Sequence, residues 1–170
     1  MHFSTKSAPN MHYNALFSLV PTPTVCEYNQ IMSRPFEILE HPADVGFLAY
    51  GATLEELFAN SALAMISLAC DLENVRETEK RKIEASGEDI ESLLYSWLAE
   101  VLAVSDAERL ILRRATVTFL TEGRVRGTVY GEPIDRSRHK TGVAIKAVTL
   151  HQFAVENVDD GWRARVFLDL

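Results

Sequence analysis

Two stretches of this sequence carry apolar residues at the spacing of a buried helix face, and they constrain the fold more than any other feature. Thr53-Leu54-Glu55-Glu56 is a capping box, and the apolar positions behind it predict a helix that ends near Ala69. Asp89 is a favourable N-cap residue, and an apolar stripe follows it from Ile90 to Leu102. Two amphipathic helices need a common apolar surface to cover, and the remaining segments are expected to supply it.

The other patterned segments have the composition and alternation of strands, at 36–41, 45–50, 80–85, 111–121, 124–132, 143–156 and 162–169. The first two of these are either two strands or one strand broken by a bulge. The segment at 143–156 exceeds the usual strand length, which predicts a β-bulge within it. Asp159-Asp160-Gly161 predicts a tight turn before the last strand. We therefore predict an α+β fold: a single layered domain whose mostly antiparallel or mixed β-sheet carries the two amphipathic helices on one face.

Residues 1–31 differ from the rest of the sequence, because they lack periodicity and carry almost no charge. We expect a disordered N-terminal extension, or the product of an upstream start assignment with Met32 as the natural start. The domain itself is predicted to span residues 32–170. No apolar run approaches the roughly 18 to 20 residues that cross a bilayer, and Cys26 and Cys70 make no disulfide framework or zinc motif. These features predict a cytoplasmic protein in which Cys70 is a small buried side chain.

The formal net charge of −7 argues against an independent nucleic-acid binder, whose affinity rests on neutralising phosphates. The charge is unevenly distributed along the chain. Residues 32–110 contain 6 basic and 16 acidic side chains, whereas residues 111–170 contain 10 basic and 7 acidic ones. This asymmetry fits two faces with different partners, and it fits equally well polar helix surfaces packed beside Arg-rich strand surfaces.

A polar turn, His41-Pro42-Ala43-Asp44, separates the first two strand segments. An Asp in a turn usually bonds its own backbone, but the end of the chain supplies further oxygens. Asp169 and the α-carboxylate of Leu170 are adjacent, and their charges repel without a compensating cation. If the Asp44 turn lies at the same sheet edge, three oxygen groups converge, as Ca²⁺, Mg²⁺ and Mn²⁺ prefer. The alternatives are two solvated charges at a frayed terminus, or neutralisation by a basic neighbour, Lys146 or Arg165.

The histidines form no recognisable catalytic set. His151 lies in a predicted strand and fits a structural role, while His139 lies in a basic loop that favours solvent or an anion contact over metal binding. His41 is placed to orient the Asp44 turn by hydrogen bonding. No Ser/His/Asp or Cys/His set is visible, and the Gly-x-Ser-x-Gly and His-Glu-x-x-His motifs are missing. The sequence therefore predicts no catalytic residue.

Several motifs, in order, resemble the archease family. The opening motif is matched by His41-Pro42-Ala43-Asp44-Val45-Gly46 and Ala49-Tyr50-Gly51-Ala52-Thr53-Leu54-Glu55-Glu56-Leu57-Phe58, except that the family usually has Thr at position 42. Further matches are Gly87-Glu88-Asp89-Ile90, Trp97-Leu98, Gly131-Glu132-Pro133-Ile134-Asp135, Lys146-Ala147-Val148-Thr149 and Val166-Phe167-Leu168-Asp169-Leu170. The resemblance covers residues 36–170.

The resemblance implies a small α+β protein that activates an RtcB-type RNA ligase in tRNA splicing or RNA repair. Archeases promote guanylylation of the ligase's active-site histidine and support multiple turnover, so the chain would be an activator and not an enzyme. They bind a divalent cation, Ca²⁺ in crystals, and its ligands correspond here to Asp44, Asp169 and the terminal carboxylate of Leu170. The implied cofactor is Ca²⁺, with Mg²⁺ or Mn²⁺ as alternatives, and the implied partner is the ligase, without strong independent binding to nucleic acid or membrane.

Two other functions fit the residues. A protein-folding or assembly chaperone would act through an exposed apolar patch and would tolerate loss of Asp44 and Asp169. A metal-dependent hydrolase or nuclease would use the same carboxylates, although no general base is evident. Turnover by the isolated protein would separate the hydrolase from the other two functions.

Overall fold

The computed structural model describes residues 34–40 and 45–170, in which seven strands and two α-helices follow one another. In chain order these are β1 (Phe36–Glu40), β2 (Val45–Gly51), α1 (Leu54–Ala69), β3 (Glu79–Ser86), α2 (Ile90–Glu108), β4 (Leu110–Thr121), β5 (Arg124–Pro133), β6 (Ala147–Val158) and β7 (Gly161–Asp169). A short 3₁₀ helix at Leu72–Asn74 lies between α1 and β3. Residues 1–33 and 41–44, which include the predicted N-terminal extension, Met32 and the polar turn, lie outside the described residues.

The strands form two antiparallel sheets that share the two helices. A four-stranded sheet has the order β1-β2-β7-β6, and a three-stranded sheet has the order β3-β5-β4. α1 packs against β2 and β4, and α2 packs against β3 and β6, so each helix contacts both sheets. The predicted α+β class is confirmed. The division of the strands between two sheets is new, because periodicity does not report which strands pair.

Both helices begin where the sequence predicts, each at a side-chain cap. Thr53 Oγ1 accepts a hydrogen bond from the Glu56 amide at 3.2 Å, and Glu56 Oε2 accepts one from the Ala52 amide at 2.9 Å. Asp89 Oδ1 accepts from the Ser92 amide at 2.7 Å, while Ser92 Oγ accepts from the Asp89 amide at 3.0 Å. These contacts satisfy amides that the first helical turn leaves without partners.

The core lies between the helices and the inner faces of the sheets. Trp97 of α2 is fully buried, and its indole Nε1 donates to Phe58 O of α1 at 3.1 Å. Gly127 of β5 lies against this ring, because a Cβ there would come within 2.6 Å of the indole and 2.1 Å of Thr116 O. Only glycine permits so close an approach of β5 to α2.

β6 differs from the sequence pattern at its start and agrees with it further along. It begins at Ala147 and not at Val143, because the Val143 amide donates to Leu68 O at 3.0 Å and so satisfies a carbonyl at the end of α1. The predicted bulge is present, since the pairing with β7 shifts register between Thr149 and Ala154.

Cys70 is buried at the C-cap of α1, as predicted. Its Sγ lies 3.5 Å from Leu112 O. Burial, and then the nearby charge of Asp71, raises the pKa of the thiol to about 11. The thiol therefore stays protonated at neutral pH and acts as a small packed group.

Candidate functional site

The candidate site is the end of the four-stranded sheet at which β2 begins, β7 ends and β6 begins. Val45, the first residue of β2, pairs with Leu168 of β7. Ala147, the first residue of β6, pairs with Asp169. The Lys146 amide donates to Asp169 O at 2.8 Å, so the ladder between β6 and β7 continues to this edge. β1 also ends there, opposite Val45, so four strand ends meet at this edge, and the backbone of Asp169 is fixed on one side.

Asp169 and Leu170 are both exposed at this edge. Within the described part of the chain, the Asp169 carboxylate forms no hydrogen bond or ion pair. Leu170 O, in contrast, accepts a hydrogen bond from Lys146 Nζ at 2.5 Å. This contact matches one of the alternatives considered above, neutralisation by Lys146, whereas Arg165 donates to Gln152 O at 3.0 Å. The edge thus presents one free carboxylate and one oxygen held by an ammonium group.

The groups present at this edge fit a hard divalent cation by their chemistry, because they are accessible oxygens and one of them is a carboxylate without a protein partner. Asp44, the third predicted ligand, lies outside the described residues, as does His41. Val45 follows Asp44 directly in the sequence and pairs with Leu168, the residue before Asp169. Across 34–40 and 45–170, no three His, Cys, Asp or Glu side chains lie close enough to hold a metal. The three-ligand site therefore stays a prediction.

A glycine and an aromatic ring pack closely together at the strand end that carries Asp169. Gly46 pairs with Phe167, and a Cβ on Gly46 would lie 2.8 Å from the Phe167 ring and 2.6 Å from Val166 O. Phe167 is buried, although it lies on the face opposite the core, and the His151 ring packs against it edge-on at 5.7 Å. His151 is exposed and its Nε2 lies 3.1 Å from Gln152 Nε2, which agrees with a structural role.

A second charged cluster, to which the sequence assigned no role, lies buried at the end of β5. Glu132 Oε1 and Oε2 accept hydrogen bonds from the Arg138 guanidinium at 2.9 and 2.6 Å. Glu132 Oε1 also accepts from the Arg76 amide at 2.6 Å and contacts His139 Nε2 at 3.1 Å. Chiefly because of the Arg138 guanidinium, and despite burial, the pKa of Glu132 is lowered to about 2. Both oxygens of this carboxylate are therefore occupied by contacts within the fold.

His139 belongs to the same cluster, and the expectation that it is solvated is wrong. Its side chain is fully buried. The Asp135 amide donates to His139 Nδ1 at 3.0 Å, which assigns the ring proton to Nε2, facing Glu132. The expected anion contact exists, but its anion is the chain's own carboxylate. The only local sign of this cluster in the sequence was Glu132, which lies between Gly131 and Pro133 near a strand end. A single glutamate does not show which residue, several positions away, pairs with it.

The family model of the Archease protein family matches residues 36–170. The chain belongs to the archease family. The match begins at β1, ends at Leu170 and includes every strand that forms the candidate edge.

The chain matches named relatives over nearly their whole length. Protein archease of Pyrococcus furiosus is 40% identical over 144 residues, which are 81% of this chain and 99% of the relative. Protein archease of Pyrococcus abyssi is 37% identical over 141 residues, again 81% of this chain and 99% of the relative. The match thus spans almost the whole length of both relatives.

Two solved structures share the fold. The solution structure of protein 1598 from Methanobacterium thermoautotrophicum is 39% identical, with a TM-score of 0.70, and the match covers 80% of this chain and 99% of that one. The crystal structure of an archease from Thermotoga maritima, described as a possible chaperone, is 21% identical with a TM-score of 0.53, covering 78% and 94%. The second similarity supports the fold alone.

In the part of this archease that the structure describes, neither helix is long and apolar enough to cross a membrane.

Proposed function

We propose that this archease activates an RtcB-type RNA ligase, promoting guanylylation of the ligase and its multiple turnover in tRNA splicing or RNA repair. The resemblance of the motifs suggests the partner, and the geometry suggests the surface that meets it. The observation that carries the proposal is the Asp169 carboxylate, exposed and without a partner among the described residues, beside Leu170 O at the end of the four-stranded sheet.

Asp169 and Leu170 O, together with Asp44, would hold a divalent cation, Ca²⁺ or alternatively Mg²⁺ or Mn²⁺. When bound, such a cation neutralises phosphate charge and orients the groups around it. The role of the residues of this chain is to hold the ligand groups in place. The β6–β7 ladder fixes Asp169, the ring of Phe167 packs on Gly46 at the same strand end, and Lys146 compensates the charge at Leu170 O.

This arrangement suits an activator, because an accessible strand edge can reach a partner's active site without supplying catalytic groups of its own. Next to Asp169 the described residues supply a lysine that is engaged at Leu170 O, and no group of three His, Cys, Asp or Glu side chains gathers among them. We place the activity in the cytoplasm, a reducing compartment in which Cys70 stays a thiol.

Guanylylation of the cognate ligase by GTP, measured with substoichiometric archease, tests the proposal. Asp169→Asn removes the charge but keeps the shape, and we expect at least a tenfold loss of stimulation. Asp160→Asn is the matched control, because Asp160 is an exposed aspartate in the turn at the opposite end of β7. Normal stimulation by the Asp169 variant would contradict the proposal, and equal losses in both variants would assign the effect to net charge.

A chaperone function is the second candidate. The Thermotoga relative is described as a possible chaperone, and Leu150 of β6 leaves 71% of its surface exposed here. This function predicts that the archease suppresses heat-induced aggregation of the ligase, that Asp169→Asn has no effect on suppression, and that Leu150→Ser weakens it. Light scattering with both variants separates the two functions.

A further inference from the structure

The three-stranded sheet has two faces of different character. Its inner face is apolar and buried under the helices, as Ile83, Val125 and Val129 show. Its outer face consists of side chains that lie opposite one another in four rows across β3, β5 and β4. The rows are Ser86–Arg124–Thr121, Glu84–Arg126–Phe119, Lys82–Thr128–Thr116 and Lys80–Tyr130–Arg114. Each of these side chains is exposed or half-buried.

This outer face is positively charged, although the chain has a net charge of −7. Arg124 Nε and Arg126 Nε each lie 3.2 Å from the Glu84 carboxylate, so two guanidinium groups share one negative charge. Lys80 and Lys82 form no ion pair within the described residues. Both lysines and one of the two arginines are thus uncompensated, which attracts a polyanion locally even though the whole chain is acidic.

Two aromatic rings lie among these charges, each beneath a guanidinium. The Arg126 guanidinium carbon is 4.9 Å from the centre of the Phe119 ring, and that of Arg114 is 3.8 Å from the centre of the Tyr130 ring. Phe119 leaves 41% of its surface exposed. Rings and guanidinium planes are the surfaces on which unpaired bases stack.

A shallow groove crosses the same face. It has a volume of about 440 Å³ and is lined on the outer side by Lys82, Glu84, Thr118, Arg126 and Thr128. It runs from Lys82 of β3 to Thr118 of β4, the neighbour of Phe119 in the sequence, so a single bound chain can contact this lysine and reach the exposed ring.

We propose that this outer face binds single-stranded nucleic acid, with Lys80, Lys82 and Arg126 on the phosphates and a base stacked on Phe119. The choice of RNA as the natural ligand rests on the proposed function, because an RNA ligase brings RNA ends to its activator. The binding itself does not depend on the ligase and is measured without it.

The shape of the face favours a single strand over a duplex. Three strands spaced about 4.8 Å apart give a platform roughly 10 Å wide, and eight residues of strand extend it to about 27 Å. Such a platform accepts two to four splayed nucleotides, whereas the deep, narrow major groove of A-form RNA excludes it. An acidic protein surface could pair with the lysines, but it would not account for the exposed Phe119 ring.

Fluorescence anisotropy of a labelled 12-nucleotide uridine-rich RNA, titrated with the full chain, tests the proposal. We expect a dissociation constant of about 10⁻⁴ to 10⁻⁶ M at low salt. Lys80→Gln with Lys82→Gln should weaken binding at least fivefold and make the slope of log K against log salt about 1.4 less negative, at about 0.7 per phosphate contact. Phe119→Ala should weaken binding about fivefold with the slope unchanged.

The matched control removes two positive charges from the other sheet, through Arg163→Gln with Arg165→Gln, and should bind RNA as the wild type does. Thermal unfolding of each variant confirms that it is folded. Absence of RNA binding at low salt overturns the proposal. So does tighter binding of duplex RNA, or competition by a 12-residue polyglutamate peptide as strong as that by unlabelled RNA, since either shows a general polyanion surface. If the protein binds RNA in this assay, which contains no ligase, the proposed RNA-binding face is supported even if the protein does not activate the ligase.

Discussion

Asp169 and Glu132 are carboxylates near the ends of two strands, one in each sheet, and their surroundings are opposite. Glu132 is buried and receives hydrogen bonds from Arg138, from the Arg76 amide and from His139. Asp169 is exposed, and no described side chain pairs with it. A buried charge persists only when it is paired, so Glu132 is explained completely by the fold. An exposed, unpaired charge at a sheet edge is available for a ligand.

Removing the charge of Glu132 is expected to have the largest effect on stability. Glu132→Gln leaves the Arg138 guanidinium without a carboxylate and places an amide group against donors. We expect the largest fall in the urea midpoint of any variant considered. Glu156→Gln is the control, because Glu156 pairs with Arg163 at 2.6 Å on the surface, where ion pairs contribute little. Equal midpoints for the two variants would contradict a structural role for the cluster.

Acidification probes the same carboxylate. The pKa of Glu132 is about 2 in the folded protein against an ordinary 4.5, so as the pH falls the unfolded state takes up the proton first. The stabilisation is complete above about pH 4.5 and is lost as the pH falls from there to about 2. Urea unfolding at about pH 6, 4 and 2.5 should show a steeper loss for the wild type than for Glu132→Gln. Parallel curves would assign the acid sensitivity to other carboxylates.

At the candidate site, the end of the four-stranded sheet that carries Asp169, the expected effects concern Ca²⁺ binding. Adding two glycines after Leu170 replaces an α-carboxylate by a neutral peptide carbonyl and leaves every side chain in place. We expect Ca²⁺ affinity, measured by calorimetry, to fall about tenfold, because one negative charge near the ion is lost. Two glycines added at the N-terminus should leave the affinity unchanged. An unaltered affinity in the first protein removes Leu170 from the ligand set.

Lys146 should act in the opposite direction. Its Nζ contacts Leu170 O, so a cation at that oxygen meets an ammonium group already present. Lys146→Gln should tighten Ca²⁺ binding by at least about fivefold, because the repulsion between a divalent cation and an ammonium group, roughly 2 kcal/mol at about 4 Å in water, disappears. Lys140→Gln, an exposed lysine in the preceding loop, is the control and should bind as the wild type does. Weaker binding after Lys146→Gln would show that the lysine organises the site.

Removing the charge of Asp169 is expected to have the smallest effect on stability. Asp169→Asn should change the free energy of unfolding by no more than about 0.5 kcal/mol, because an exposed side chain without partners is replaced. Urea unfolding beside Glu132→Gln measures the contrast directly. A large destabilisation by Asp169→Asn would mean that the carboxylate supports the fold.

The helices could be predicted because their signals are local. The Thr53–Glu56 cap joins residues three positions apart, and the apolar stripe of α2 repeats within one turn. The bulge in β6 was predictable for the same reason, since strand length is visible in the sequence. The Glu132 cluster was not, because its bond to the Arg76 amide joins residues 56 positions apart. Strand pairing is equally non-local, so the division into two sheets became visible only in the structure.

At the candidate site, some features could be predicted from the sequence and others could not. Asp169 and Leu170 could be proposed as ligands because adjacent carboxylates are visible in the sequence, and the contact of Lys146 with Leu170 O was one of the predicted alternatives. The prediction for Asp44 remains open, since that residue lies outside the described part of the chain. The charge asymmetry of the sequence allowed Arg-rich strand surfaces, but the basic outer face of the three-stranded sheet could not be located from it, because its charges come from three strands and only pairing brings them together.

The bulge in β6 has a consequence for how copies of the chain meet. β6 is an edge strand, and such an edge offers a template for the strand of another molecule unless it is interrupted. Between Thr149 and Ala154 the backbone leaves its register with β7, and Gln152 takes a left-handed φ of 49°. A foreign strand therefore finds no continuous row of amides and carbonyls. The protein is guarded against edge-to-edge aggregation on this side, and a partner at this edge has to be recognised through side chains.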